Sequence, residues 1–300
     1  MRFERLDLNL LVALAVLIEE RSVSAAARRL HLSQPAVSGA LNRLRDFFGD
    51  ELLVQSGRQM VLTPKAEELA GPVNDALMLI RTRITTPARF DPERVERTFR
   101  VIASDYVFLV FLAEMVAGLA KTAPGLSFEI LSPEERTMDL LDRGEADLLI
   151  TIDTRVRPDF PRLELFKDEQ AVICWSGSRH AAGIDREAFG AAGHAVSYFG
   201  PARAPAFSEL YFEQHAIDRR IEVYVPTFTM LPDAVIGTER LATIQRRYAV
   251  RCARVMPISV LPVPYPVPML TEVAQWHSMR SQDAGVQWLV KTIEQAAGAL

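Results

Sequence analysis

The chain has 300 residues, 49% of them hydrophobic, and a formal net charge of −4 at pH 7, enough for two or three packed units. Cys174 and Cys252 are its two cysteines and stand far apart, which excludes a disulfide framework and a zinc site. Charge is uneven: residues 1–89 hold 12 Lys and Arg against 10 Asp and Glu, and the remainder 22 against 28, an acidic balance that discourages stray contact with nucleic acid.

At the amino end, Arg2 and Arg5 precede an apolar run from Leu8 to Ile18, and Ala25-Ala26-Ala27 has the form of a cleavage site. Glu4 and Asp7 break that positive region, and Glu19-Glu20-Arg21 separate the run from the alanines. Leu6, Leu10, Leu14 and Leu17 trace one helix face, so the segment reads as a core helix of a cytoplasmic protein. No stretch approaches the ~20 uninterrupted apolar residues that cross a bilayer, and no membrane partner is expected.

Residues 21–45 hold five arginines and no acidic residue. Ser24 is the expected cap of a short helix through Ala25, Ala26, Ala27 and Leu30. Leu30 and Leu32 flank His31 and are expected to anchor a tight turn. Ser33 then caps a second helix, with Pro35 in its first turn, where the missing N–H costs nothing. Val37, Leu41, Leu44 and Phe48 form its apolar stripe. The other side presents Ser33, Gln34, Pro35, Ser38, Asn42 and Arg43, a narrow polar face that suits a helix lying in a major groove. Gln and Asn pair with adenine edges, and Arg with guanine or phosphate. A helix-turn-helix in a locally basic segment points to double-stranded DNA.

Leu52-Leu53-Val54 and Met60-Val61-Leu62 read as two short strands around Ser56-Gly57-Arg58, a wing with Arg58 at its tip for a phosphate or the minor groove. Thr63-Pro64 starts a longer helix whose residues Leu69, Val73, Leu77, Ile80 and Ile84 make a near-heptad seam. Nothing local in the sequence covers that seam, so a second copy of the chain is the expected partner. Gly71-Pro72 within it predicts a kink.

At this point the chain resembles the LysR-type transcriptional regulators. The resemblance rests on L-D-L-N-L-L near the start, A-A-A-R-R-L-H-L-S-Q-P-A-V-S in the middle and L-T-P-K-A-E-E-L-A-G-P-V at the linker helix. The opening M-R-F-E-R-L-D-L-N-L-L-V-A-L and F-G-D-E-L-L-V are similar to the branch of nodulation regulators and their aromatic-sensing cousins. The resemblance implies a tetramer of two dimers on an interrupted inverted repeat, RNA polymerase as a further partner, and a small-molecule effector, aromatic or flavonoid-like. Many relatives carry a basic residue directly after the Ser38 position, where this chain has Gly39.

Beyond the polar, proline-bearing stretch from Thr85 to Pro92, strands and helices alternate: Thr98–Ala103, Val107–Lys121, Leu126–Leu131, Met138–Arg143 and Asp147–Ile152. That order predicts a mostly parallel sheet. A second set starts at Ala171–Trp175 and continues through Ala195–Phe199, Ile221–Val225 and Leu241–Ile244. Val260–Pro268 alternates apolar residues with prolines and reads as an extended edge crossing. Leu270–Trp276 returns, and Asp283–Ala297 is a last helix. The expected fold class is α/β: an N-terminal all-α winged helix-turn-helix over 1–63, a dimerising linker helix and hinge over 64–89, and a two-lobed effector domain over 90–300. Lobe I covers about 90–167 and 269–300, and lobe II about 168–268. Two lobes joined by two crossings make a hinged clamp of the periplasmic-binding-protein kind.

Ligands of open α/β sheets sit beyond the carboxyl ends of strands. This selects Ser104, Asp105, Thr151 and Asp153 on the first lobe, and Phe199, Gly200, Phe228 and Thr229 on the second, with Thr229 also a helix cap. Phe108, Phe199 and Phe228 suit a planar aromatic effector. His31, His180, His194, His215 and His277 are scattered without metal spacing, and the glycines form no phosphate loop, so no cofactor, metal or catalytic residue is expected. Two other readings stay open. One is a cytoplasmic solute-binding sensor without DNA function, which leaves the basic segment unexplained. The other is a cleft enzyme, for which Asp105 and Asp153 are the available carboxylates.

Overall fold

A computed structural model of the chain describes residues 7–57, 59–84, 89–134 and 137–300. They fall into two units, Met1–Pro87 and Ala88–Leu300.

In the first unit α1 spans Leu8–Glu20, capped by Asp7, and buries Leu10, Leu14 and Leu17; Leu6 lies outside the described residues. α2 spans Val23–Arg29, and its cap is Ser22, not Ser24: Ser22 Oγ accepts from Ala25 N–H at 3.2 Å. Starting one residue after Ser22 is the phase that turns Ala26 and Ala27 into the core. At the turn Leu30 packs against the core, whereas Leu32 is exposed, because His31 takes a left-handed φ of 53° and sends the chain outward.

α3 spans Gln34–Phe48 and buries Val37, Ala40, Leu41 and Leu44, ending at Gly49 with φ of 65°. β1 (Leu53–Ser56) and β2 (Gln59–Leu62) pair antiparallel as a two-stranded wing. Leu52 enters the wing fully buried with φ of 59°, a region that branched side chains rarely adopt. One carboxylate holds it there: Asp50 Oδ1 accepts from Leu52 N–H at 2.7 Å and from Thr63 Oγ1–H at 2.6 Å. The Thr63 and Leu52 hydrogen bonds hold the Asp50 carboxyl below the usual carboxylate range.

α4 spans Pro64–Leu79, capped by Thr63, and runs through Pro72 into a π-helical turn, Ile80–Ile84. Its expected uncovered seam is partly covered within the chain. Val73 and Leu77 are buried and Leu69 is packed in one cluster with Leu10, Leu14 and Leu17 of α1. Ile80 is half-buried and Ile84 exposed.

The second unit holds two sheets. β3 (Arg97–Ile102) leads into α5 (Asp105–Val107), capped by Ser104, a π-helical stretch Phe108–Leu112, and α6 (Ala113–Thr122). β4 (Leu126–Leu131), α7 (Thr137–Asp142), β5 (Leu148–Ile152) and β6 (Arg162–Asp168) follow. β7 (Gln170–Trp175) opens the other sheet, which continues through α8 (Arg186–Ala191), β8 (Gly193–Phe199), β9 (Ala204–Pro205), α9 (Phe207–Gln214) and β10 (Arg220–Val225). Then come α10 (Leu231–Val235), β11 (Leu241–Gln245), α11 (Arg246–Ala253) and β12 (Ile258–Pro262). β13 (Leu270–Gln275) returns to the first sheet, and α12 (Ala284–Gly298) packs there.

The first sheet has the order β4-β3-β5-β13-β6, parallel among β4, β3 and β5 and antiparallel where β13 joins β5 and β6. The second has the order β10-β8-β11-β7-β12, with β12 at its edge, so Pro262 ends an edge strand as its missing donor requires. The chain passes between the sheets twice, at Asp168–Gln170 and between Pro262 and Leu270. The return is locked by charge. Arg97 donates to both oxygens of Asp283 at 2.8 and 2.9 Å and to Asp147 at 3.1 Å, while Arg280 donates to Asp147 at 2.6 Å. Asp283 Oδ1 also accepts from Gly285 and Val286 N–H and so caps α12.

Candidate functional site

The outer side of α3 is assembled by its cap. Ser33 Oγ accepts from Ala36 N–H at 3.3 Å and Pro35 occupies the first turn, which fixes the helix phase. With the aliphatic stripe inward, Ser33, Gln34, Pro35, Gly39, Asn42 and Arg43 are exposed and Ser38 is half-buried. The structure thus brings the helix residues of the expected DNA face together. Arg58 lies outside the described residues.

The basic stretch is less free than its composition implies. Arg29 pairs with Glu19 and Glu20 of α1. Arg45 donates to the backbone oxygens of Glu51 and Leu53, each at 2.8 Å, and ties α3 to the wing. Arg21, Arg28 and Arg43 remain exposed, and Arg43 makes no ion pair among the described residues. Arg29 and Arg45 are framework, a role hidden in sequence because the partners of Arg29 lie nine and ten residues away, and Arg45 binds two backbone oxygens beside its ion pair with Glu51.

Between the two sheets of the second unit lies a small cavity of about 60 Å³. Ser104, Thr151, Phe199 and Phe228 line it, as expected from the strand-end rule. Asp105, Asp153, Gly200 and Thr229 do not. Asp105 Oδ2 accepts from Thr229 N–H at 2.7 Å, a bond from one lobe to the other, so Asp105 is the group that holds the turn after β10 and Thr229 is no side-chain cap. Asp153 begins an exposed 3-10 turn, and Gly200 is exposed with φ of 64°.

Several wall residues were not foreseen: Arg155, Phe207, Gln245 and Glu272. Glu272 Oε2 and Gln245 Oε1 are buried and have no hydrogen-bond partner in the protein. Buried polar atoms are rarely left so, and an unpaired pair on a cavity wall asks for water or a polar ligand group. Burial, followed by the charges of Asp168 and Asp153, pushes the Glu272 carboxyl up to about 8, so it is protonated at neutral pH. Behind it Tyr106 O–H donates to Asp168 at 2.7 Å, and burial raises that carboxyl too. Arg155 Nη2 donates to Pro205 O at 2.6 Å, a second tie between lobes. Among the described residues no His, Cys, Asp and Glu cluster is placed to hold a metal.

A winged helix-turn-helix followed by a two-lobed α/β domain with an interlobe cavity defines a class of ligand-responsive transcription regulators. Comparison with known proteins agrees. Residues 8–67 match the bacterial regulatory helix-turn-helix of the lysR family, and residues 92–298 match the LysR substrate binding domain. The chain is 39% identical to nodulation protein D 1 of Rhizobium tropici, over 100% of its own length and 98% of that protein. It is 40% identical to nodulation protein D 1 of Sinorhizobium fredii (strain NBRC 101917 / NGR234), over 99% and 92%. Among solved structures, a "probable transcriptional regulator" of Pseudomonas aeruginosa aligns at TM-score 0.65 and 26% identity, covering 97% of each chain. Full-length OxyR of the same organism aligns at 0.66 and 18%, covering 97% of this chain and 94% of that one, a likeness of fold. The chain belongs to the LysR family of transcriptional regulators, with a DNA-binding helix-turn-helix and an effector-binding domain. No helix among the described residues is long and apolar enough to cross a membrane.

Proposed function

We propose that this regulator reads operator DNA through Ser33, Gln34, Pro35, Ser38, Asn42 and Arg43, with Arg58 on the wing touching phosphate or the minor groove. The observation that carries this reading is the outer face of α3, polar, exposed and free of bulky aliphatics along its length. The functional division is 1–63 for DNA, 64–89 for the linker and 90–300 for the effector. The working form is a cytoplasmic dimer, assembling to a tetramer on an interrupted inverted repeat and engaging RNA polymerase. Exposed Ile84, together with half-buried Ile80, extends the α4 seam toward a second copy. The interlobe cavity is the effector site, with Ser104, Thr151, Phe199 and Phe228 joined by Gln245 and Glu272. Its role in this reading is binding rather than turnover, as befits a transcriptional regulator.

The test uses operator DNA recovered by genomic pull-down with the wild-type chain. Asn42→Ala is expected to cost about 1–3 kcal/mol at one base position and to relax its specificity. Arg43→Ala is expected to flatten the dependence of log affinity on log salt by about 0.9, the release from one phosphate. A sensor without DNA function predicts no operator fraction at all, and unchanged affinity and slope in both variants would sink the assignment of this face.

A further inference from the structure

α11 lies directly after β11 and reads Arg246-Arg247-Tyr248-Ala249-Val250-Arg251-Cys252-Ala253, followed by Arg254. Tyr248, Ala249 and Cys252 are buried under the helix, which leaves Arg246, Arg247, Val250, Arg251 and Arg254 on the outside. These five line an open concavity of about 640 Å³, a size in the range that holds small ligands. Lys167 at the end of β6 adds a fifth positive charge.

Three side-chain carboxylates stand near these five cations, Asp168, Glu169 and Glu164, the last 3.4 Å from Lys167 with both side chains exposed. Arg247 also donates to Leu300 O at 3.5 Å, which leaves the four arginines in excess. Asp168 accepts from Tyr106 O–H and from the backbone N–H of Glu169 and Arg247. Glu169 stands 4.0 Å from Arg246, both largely exposed, so that pair is weak. Arg251 donates to Leu109 O, and Arg254 makes no side-chain hydrogen bond or ion pair among the described residues. This excess sits in the half of the chain whose overall balance is acidic.

The walls also carry apolar surface from Val110, Val250 and Met269, the last 54% exposed. Guanidinium groups match phosphate oxygens in bidentate geometry, and a concave pocket with apolar walls suits a compact molecule better than the rod of a DNA backbone. We propose that this concavity is a second ligand site, separate from the interlobe cavity, for a small phosphorylated anion. Lys167 and Val110 come from the first lobe, α11 comes from the second, and Asp168, Glu169 and Met269 belong to the two crossings. A bound phosphate therefore bridges the lobes at their hinge.

The test is thermal unfolding of the full chain with inorganic pyrophosphate at constant ionic strength, in wild type, Arg246→Glu/Arg254→Glu and Arg43→Ala. Wild type and Arg43→Ala are expected to show a saturable rise in Tm with the same midpoint, and the double variant a midpoint at least tenfold higher. Arg254→Gln, a mild change at an exposed position, is expected to raise the midpoint several-fold and stands in if the double variant fails to fold. Equal midpoints in all the proteins, or no saturable rise in any, overturn the site. A rise lost in Arg43→Ala and kept in the α11 variants also overturns it, because the anion is then read by the DNA-binding unit.

Discussion

Gly39 is the position where a substitution tests stability and recognition together. It lies in the middle of α3 on the exposed face, and a Cβ built there meets nothing within 4 Å. Gly39→Ala therefore removes the cost of a helical glycine, about 0.8–1 kcal/mol, with no clash to offset it. For a unit of this size that is about 5 °C in Tm if it melts by itself, and about 2 °C if it melts with the rest of the chain. Gly39→Arg keeps most of the helical gain and places a guanidinium beside Ser38, Asn42 and Arg43. A new phosphate contact steepens the slope of log affinity against log salt by about 0.9, whereas a new guanine contact leaves the slope alone and adds roughly 1–3 kcal/mol of discrimination. The assays are calorimetry for the alanine variant and fluorescence anisotropy on operator DNA across a salt series for both. An alanine variant less stable than wild type refutes the packing argument. An arginine variant with wild-type slope and specificity refutes the orientation of α3.

Two further predictions concern buried charge. Arg97→Met leaves Asp283 without its main cation and Asp147 with Arg280 alone, and is expected to cost about 3–5 kcal/mol, read by denaturant unfolding. Burial acts to raise the Asp283 carboxyl, but the Arg97 hydrogen bonds and charge outweigh it and hold it below its ordinary value. That stabilisation is complete above about pH 4 and lost as pH falls through the folded value, so wild type loses stability in acid more steeply than Arg97→Met. Equal acid slopes in the two proteins count against the lock. Glu272 runs the other way: its folded form keeps a proton up to about 8, while the unfolded chain releases it near 4.5. Stability is expected to fall between those values by up to about 1.4 kcal/mol per pH unit, and Glu272→Gln to remove that slope. A variant with the wild-type pH profile refutes the buried neutral carboxyl.

Elements fixed by local periodicity and caps were legible from the amino acids. The α3 stripe, the caps Ser33 and Thr63, and strands such as Leu126–Leu131 all follow from residues within one or two turns of each other. What failed depends on partners distant in sequence. The choice between Ser22 and Ser24 is decided by which phase buries Ala26 and Ala27, and part of the α4 seam, Leu69, Val73 and Leu77, packs with α1, some 60 residues earlier. The cavity shows the same division. The strand-end rule applies to parallel strands and found Ser104, Thr151, Phe199 and Phe228. Glu272 escaped it because β13 runs antiparallel to β5, so its mid-strand residue pairs with Ile152, the last residue of β5. A glutamate in mid-strand, flanked by Leu270, Val273 and Ala274, was the available signal.

The same geometry constrains how an effector acts. The interlobe cavity, about 60 Å³, is narrow. An aromatic effector at the proposed site is expected to favour an arrangement with the lobes further apart. Asp105 to Thr229 and Arg155 to Pro205 are the bonds such an opening breaks. Against that cost stand Glu272 Oε2 and Gln245 Oε1, which have no partner in the protein and which a polar ligand at the proposed site is expected to pair. To carry the protein from 1% to 99% open, affinity for the two arrangements must differ by about 10⁴-fold, or roughly 5.5 kcal/mol.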